Sequence, residues 1–212
     1  MAHKLHHEQI FRGADAMKQL SVAPITICGA GALGSNLAVN LVRQGLCRLS
    51  VIDDDRVEPQ NVGTQVYALD DTGGLKAELL KNLIYRDVGE EIVAHTKRLT
   101  EKTAGKLLSG AALVIDAFDN SESRGAVYRW CAQNNVPCLH IGLNDQYGQL
   151  CWNETYTVPS AKGEDVCDYP LARNLVLLVR ALASELAVRF VLDGSRRNLS
   201  VTLGDLTINH DD

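Results

Sequence analysis

The stretch Pro24-Ile25-Thr26-Ile27-Cys28-Gly29-Ala30-Gly31-Ala32-Leu33-Gly34 decides how the rest of the chain is read. A short apolar, partly β-branched run that ends on glycine reads as a buried parallel strand. Gly29, Gly31 and Gly34 then form GxGxxG. Residues 35–44 follow with Leu37, Ala38, Leu41 and Val42 at helical spacing, which predicts a helix closed by Gly45 as a left-handed cap. In a strand–loop–helix unit the first glycine makes the turn, the second lets backbone approach a phosphate, and the third packs helix against strand. The helix start offers unpaired N–H groups to an anion. Residues 49–52 read as a second strand with Asp53 at its carboxyl end, where a carboxylate can accept ribose hydroxyls. The alternative is that small residues here serve close packing alone. Loop and acid together do not separate NAD from ATP.

Working outward, residues 6–20 predict a helical lead-in within a polar N-terminal 1–20. Residues 75–85 predict a helix, 91–96 a strand, 113–117 a buried strand and 123–133 the helix behind it. Residues 137–141 and 148–152 read as further strands. A long helix opens at Pro170 and closes at Gly194, with Leu171, Leu175, Leu178, Leu182, Leu186 and Phe190 on one face. Glu185 and Arg189 form an i, i+4 pair on its solvated side. A final strand near 200–203 is placed at a sheet edge. This alternation predicts an α/β, Rossmann-like fold: a mostly parallel sheet with helices on both faces and antiparallel additions toward the C-terminus.

The chain has 212 residues, 46% of them hydrophobic, with 21 Lys+Arg against 26 Asp+Glu. That length suits one domain over 1–212, and the apolar fraction excludes global disorder. A net charge of −5 argues against nucleic acid or an anionic membrane as partner. The apolar region 171–192 is broken by Arg173, Arg180, Glu185 and Arg189, so it does not read as a membrane span. The six cysteines form no CxxC pair, which argues against zinc. Without an apolar leader at the start, they are expected as reduced thiols in the cytoplasm.

The stretch after the second strand separates the possible nucleotide enzymes. Asp53-Asp54-Asp55-Arg56-Val57-Glu58-Pro59-Gln60-Asn61-Val62-Gly63-Thr64-Gln65 closely resembles the D-x-D-x-V-x-x-x-N-x-x-R-Q signature of the ThiF/MoeB/HesA family. Gln9-Ile10-Phe11-Arg12-Gly13, Leu75-Lys76-Ala77 and Ile115-Asp116-Ala117-Phe118-Asp119-Asn120, with Arg124 following, resemble other family segments in the same order. The likeness covers roughly residues 8–195. It implies an ATP-dependent adenylyltransferase of the ubiquitin-activating type. Such an enzyme activates the C-terminal carboxylate of a small ubiquitin-like or sulfur-carrier protein ending in Gly-Gly and releases pyrophosphate.

The resemblance also implies a homodimer with ATP and Mg2+, and a nucleotide site made of Gly29, Gly31, Ala32, Leu33, Gly34, Asp53, Asp55, Asn61, Gln65 and Lys76. Asp53 would hold the ribose, and Asn61 and Gln65 the phosphates or the attacking carboxylate. Lys76 would neutralise the α-phosphate and Asp119 would bind Mg2+. A solvated helix lysine and an Asp-Asn turn are the plain alternatives for the last two.

The chain departs from the pattern at Thr64 and Glu8, where the family places arginines; Arg12, Arg56 or a partner subunit is left to substitute. Cys167, just before the long helix, falls where the family carries a cysteine that bonds the activated partner. Its acidic neighbours Glu164, Asp165 and Asp168 leave a nucleophile and an incidental loop thiol as alternatives. His95 and His140 lie in strand-like runs and are expected to be structural. Three functions follow: carrier-protein adenylation, a non-catalytic nucleotide-binding subunit of a heterodimeric enzyme, and an NAD(P)-dependent oxidoreductase that rests on loop and acid alone. A groove for the carrier's tail is expected at the carboxyl side of the sheet.

Overall fold

The computed structural model describes residues 4–160 and 170–211. Strands β1 (Ile25–Cys28), β2 (Leu49–Ile52), β3 (Val93–His95) and β4 (Leu113–Asp116) run parallel with β5 (Cys138–Asn144). Strands β6 (Tyr147–Trp152), β7 (Asn198–Thr202) and β8 (Thr207–Asp211) continue the sheet antiparallel. The sheet order is β3-β2-β1-β4-β5-β6-β7-β8. The chain therefore reverses its direction of winding between β1 and β4, and that gap is the switch point where open α/β sheets hold ligands.

The sheet has a core on each face, and the strand residues sort by the two-residue period. Ile25, Ile27, Leu49, Val51, Leu113, Ile115, Leu139 and Ile141 point to one side. There they pack with α3 (Ala32–Arg43), α4 (Lys76–Val88) and α7 (Arg173–Asp193). Cys28, Ile52, Val114 and Cys138 point to the other side, under α5 (Glu101–Leu107) and α6 (Ser121–Asn134). Strands apolar on both faces follow from this double cover.

Several boundaries differ from the sequence reading. The lead-in is two helices, α1 (His6–Arg12) and α2 (Ala14–Val22), because Gly13 turns the backbone at φ +86°. Helix α3 begins at Ala32, so Gly34 lies in its first turn. Helix α7 begins at Arg173 rather than at Pro170, after Leu171 bridges to Asp145. Its buried stripe runs through Leu175, Val176, Val179, Ala183, Leu186 and Ala187, while Leu178 and Leu182 stay partly covered. Glu185 and Arg189 pair at 3.0 Å as expected, and Glu185 also holds Arg12. Strand β7 is not the sheet edge, since β8 pairs outside it. No helix among the described residues is long and apolar enough to cross a membrane.

Candidate nucleotide site

The loop between β1 and α3 is shaped by contacts that exclude side chains. Gly29 sits at φ +100°, and a Cβ there would come within 3.0 Å of the Ala117 carbonyl oxygen. A Cβ on Gly34 would lie 1.9 Å from the Gly29 oxygen, so the helix start and the loop touch backbone to backbone. Around Gly31 the corresponding space is open.

Beside this loop lies Asp53, 6% exposed, at the end of β2. Its Oδ2 accepts the Ala30 N–H at 2.6 Å and its Oδ1 accepts the Asp55 N–H at 2.9 Å. Burial pushes the carboxyl up to about 6, against the lowering effect of the Ala30 hydrogen bond and the Lys76 charge. Asp53 thus acts first on the loop backbone. A carboxylate has about four lone-pair positions, so room for a ribose hydroxyl remains.

Lys76 opens α4, buried along its stem, with Nζ 3.1 Å from Asp55 Oδ2. Its backbone N–H donates to the Asp55 carbonyl at 3.0 Å. The buried Tyr67 hydroxyl reaches both the Ala30 carbonyl oxygen, at 2.9 Å, and the Lys76 carbonyl oxygen, at 3.1 Å. Asn61 caps a 3-10 turn, Pro59–Asn61, by accepting the Glu58 N–H at 2.9 Å. Gln65 is buried, and its Oε1 has no hydrogen-bond partner among the described residues.

On the opposite side of the loop opens a cavity of about 780 Å³. Gly31, Ala32 and Leu33 form one wall, Ala117 to Asp119 another, and Ile141 to Asn144 of β5 a third. Asp119 is exposed at its lining, while the neighbouring Asn120 takes the helix-capping role by accepting the Ser123 N–H at 2.9 Å. The aspartate is therefore spared the cap. Arg124, 8% exposed, reaches the cavity from α6. It donates from Nη1 to the Tyr156 hydroxyl at 3.0 Å and from Nη2 to the Ile141 carbonyl at 2.6 Å.

Behind Arg124 lies the fully buried Asp116. Its Oδ2 accepts His140 Nδ1 at 2.8 Å and sits 3.6 Å from Arg124 Nη1. Burial alone would raise this carboxyl, but the Arg124 charge and the His140 bond outweigh it and hold it below the usual range. His140 also meets Asn153 Oδ1 at 2.8 Å and stacks on Tyr156 at 3.6 Å.

The profile of the ThiF family matches residues 4–168. The chain belongs to the ThiF family. It is 35% identical over 156 residues to the sulfur carrier protein adenylyltransferase of Thermus thermophilus, covering 64% of this chain and 58% of the relative. Over 134 residues it is 31% identical to the tRNA threonylcarbamoyladenosine dehydratase of Escherichia coli, covering 61% and 50%. The chain thus spans about half the length of the curated relatives it matches.

Among solved structures, E. coli MccB with ATP superposes with a TM-score of 0.82 at 18% identity, covering all of this chain and 71% of MccB. At that identity the likeness speaks for the fold. E. coli TcdA in complex with ATP gives a TM-score of 0.64 at 26% identity, covering 69% of this chain and 64% of TcdA.

Within this ThiF-family chain the expected site residues do not all meet in one place. Gly31, Ala32, Leu33 and Asp119 line the cavity. Asp53, Asp55 and Lys76 form a cluster on the β2 side of the same loop. Neither Asn61 nor Gln65 lines the cavity. Of the substitutes for the arginines absent at Glu8 and Thr64, Arg12 is held by Glu8 at 2.8 Å and Glu185 at 2.9 Å. Arg56 donates to the Gly73 carbonyl at 2.6 Å. Cys167 lies outside the described residues.

Sequence reasoning assigned no part in the site to Tyr67, Asp116, Tyr156 or His140. The last is a buried structural partner, as expected, and it also forms part of the cavity wall. One signal was available for Asp116 and His140. Each is a polar residue in an apolar strand, and the register pairs them directly.

Proposed function

We propose that this chain adenylates a carboxylate at the expense of ATP, the carboxylate being the C-terminus of a small ubiquitin-like or sulfur-carrier protein ending in Gly-Gly. The cavity at the carboxyl ends of β1, β4 and β5 carries this reading, with the glycine loop as one wall and Asp119 as another. The likeness to the sulfur carrier protein adenylyltransferase of T. thermophilus supports it. In this reading the Gly31–Leu33 backbone and the start of α3 hold the triphosphate. The Asp55–Lys76 pair opens to give the lysine to phosphate oxygens; with Asp55 largely exposed, the pair costs little to break. In-line positioning and charge stabilisation supply most of the acceleration, with the protein making no covalent bond in the adenylation step.

Mg2+ fits Asp119. A single exposed carboxylate suits an ion that keeps waters and shares phosphate oxygens, and no cluster of three or more His, Cys, Asp or Glu among the described residues offers a caged alternative. When bound, the ion would supply positive charge to the phosphates. The proposal further takes the protein as one cytoplasmic domain acting as a homodimer, with Cys167 as a candidate acceptor of the activated carboxylate.

Carrier-stimulated ATP–pyrophosphate exchange tests the reading. Asp119→Ala and Lys76→Met are each expected to lower exchange by at least about 100-fold. Unaltered exchange in Asp119→Ala overturns the assigned role.

A second reading is favoured by the engaged Arg12 and Arg56: a non-catalytic nucleotide-binding subunit of a heterodimeric activating enzyme. ATP binding by the pure protein, with exchange appearing only on adding a co-encoded homologue, would select it.

A further inference from the structure

We propose that Tyr67, together with Asp53, presets the glycine loop for an anion and couples it to the start of the Lys76 helix, which makes Tyr67 a positioning residue of the nucleotide site. The inference rests on the ATP reading above and assigns a task to a residue that the sequence motifs pass over.

The argument is stereochemical. A peptide unit is planar, and in the trans form its C=O and N–H point in opposite directions. No peptide among the described residues is cis. The Ala30 N–H is fixed on Asp53 Oδ2 and the Ala30 C=O on the Tyr67 hydroxyl. Both peptide planes that flank Ala30 are therefore held from the protein side. Holding the Ala30 carbonyl inward on the buried Tyr67 hydroxyl turns the N–H of Gly31, a residue of the cavity wall, the opposite way. Gly31 is also the N-cap of α3, so its N–H joins the unpaired amides of the helix start in one concave set of donors.

Tyr67 has one hydroxyl proton and shares it between two acceptors, the second being the carbonyl of Lys76. Lys76 in turn reaches Asp55 by its backbone N–H and its ammonium, and the Asp55 N–H returns to Asp53. Ala30, Tyr67, Lys76, Asp55 and Asp53 close a ring of hydrogen bonds. The loop that would hold phosphate and the helix that carries the lysine are thereby set at a fixed separation. Tyr67 is 3% exposed, so without the hydroxyl the Ala30 carbonyl would be left buried with no donor from this residue.

Calorimetric titration with ATP, alongside thermal melts, tests the proposal on the full chain. Tyr67→Phe keeps the ring and its packing and removes the shared proton. Its ATP dissociation constant is expected to rise about tenfold. Ile84→Val, one methylene smaller in the fully buried core of α4, is the stability control and is expected to bind ATP within about twofold of the parent. Unchanged ATP affinity in Tyr67→Phe, or equal weakening in Ile84→Val, overturns the proposal. A parent protein that does not bind ATP overturns the nucleotide reading itself, before any variant is compared.

If Tyr67→Phe does not fold, amide hydrogen exchange on the parent decides. The Ala30 amide should be protected without ligand, and the Gly31 amide only once ATP is added. Gly31 protection without ATP would show that its amide already faces the protein, against the proposal.

Discussion

Asp53 illustrates how one residue changes meaning between sequence and structure. Its place at the end of β2 is what a ribose-binding acid requires, and the position was legible. The two backbone amides it accepts were not, because Ala30 and Asp55 converge on it only once the loop has folded. The same burial makes a pH prediction. A carboxyl near 4 in the unfolded chain and about 6 in the folded one means that the native state binds the extra proton between those values. The contribution of Asp53 to stability therefore falls as pH rises from about 4 to about 6, by about 3 kcal/mol for a shift of about two units. Asp116, held low, acts in the opposite sense and in a lower window: its contribution is present above about 4 and is lost as pH falls through its folded value. Asp53→Asn removes the first titration and keeps the second. Thermal melts at pH 4.5 and 7.5 should show the variant gaining on the parent at the higher pH. A gap between the two proteins that does not change with pH would refute the raised carboxyl.

At the scale of elements, the strand–loop–helix unit was readable because every level agrees: β-branched strand, three glycines, apolar helix face. Helix α5 was not, since its seven residues bury only Ala104 and Leu107 and show too few turns for a period to register. Strand β8 was hidden for a related reason. Thr207 to His210 are all exposed, so its place depends on pairing with β7 rather than on any apolar pattern of its own. The buried stripe of α7 is rotated from the leucine face toward Val176, Val179, Ala183 and Ala187, small and β-branched residues that the sequence reading passed over, while Leu178 and Leu182 pack only partly against the core.

The glycines of the first unit make a paired prediction. Gly34→Ala drives a methyl into the Gly29 carbonyl and must displace the start of α3, at a cost of about 1–3 kcal/mol. Its melting temperature should fall by several degrees. Gly31→Ala meets nothing within 4 Å, so it should melt close to the parent and lose ATP affinity by at least about tenfold. Melts and titrations of both variants check this. A Gly31→Ala protein that binds ATP normally would show that no ligand passes over this glycine.

Across the whole molecule, the sheet is two structures joined at β5. From β3 to β5 it is parallel with helices on both faces, and β1, β4 and most of β5 are buried. Beyond β5 the meander ends in a strand with almost no buried side chain. Apolar burial sets how much free energy local opening costs, so the two halves should not open together. The cavity opens at the end of the first half, with further walls from the continuation of β5 past the end of β4 and from Gln149 and Tyr156 beyond it. Hydrogen exchange read by mass spectrometry should therefore find β1 and β4 the slowest segments and β8 among the fastest. ATP should add protection at residues 29–33 and 117–120 while leaving 207–211 unchanged. These loops sit at the switch point, where binding energy passes into the stable half of the sheet and not into its edge. Protection that rose equally in β8 would mean that the sheet opens as one unit.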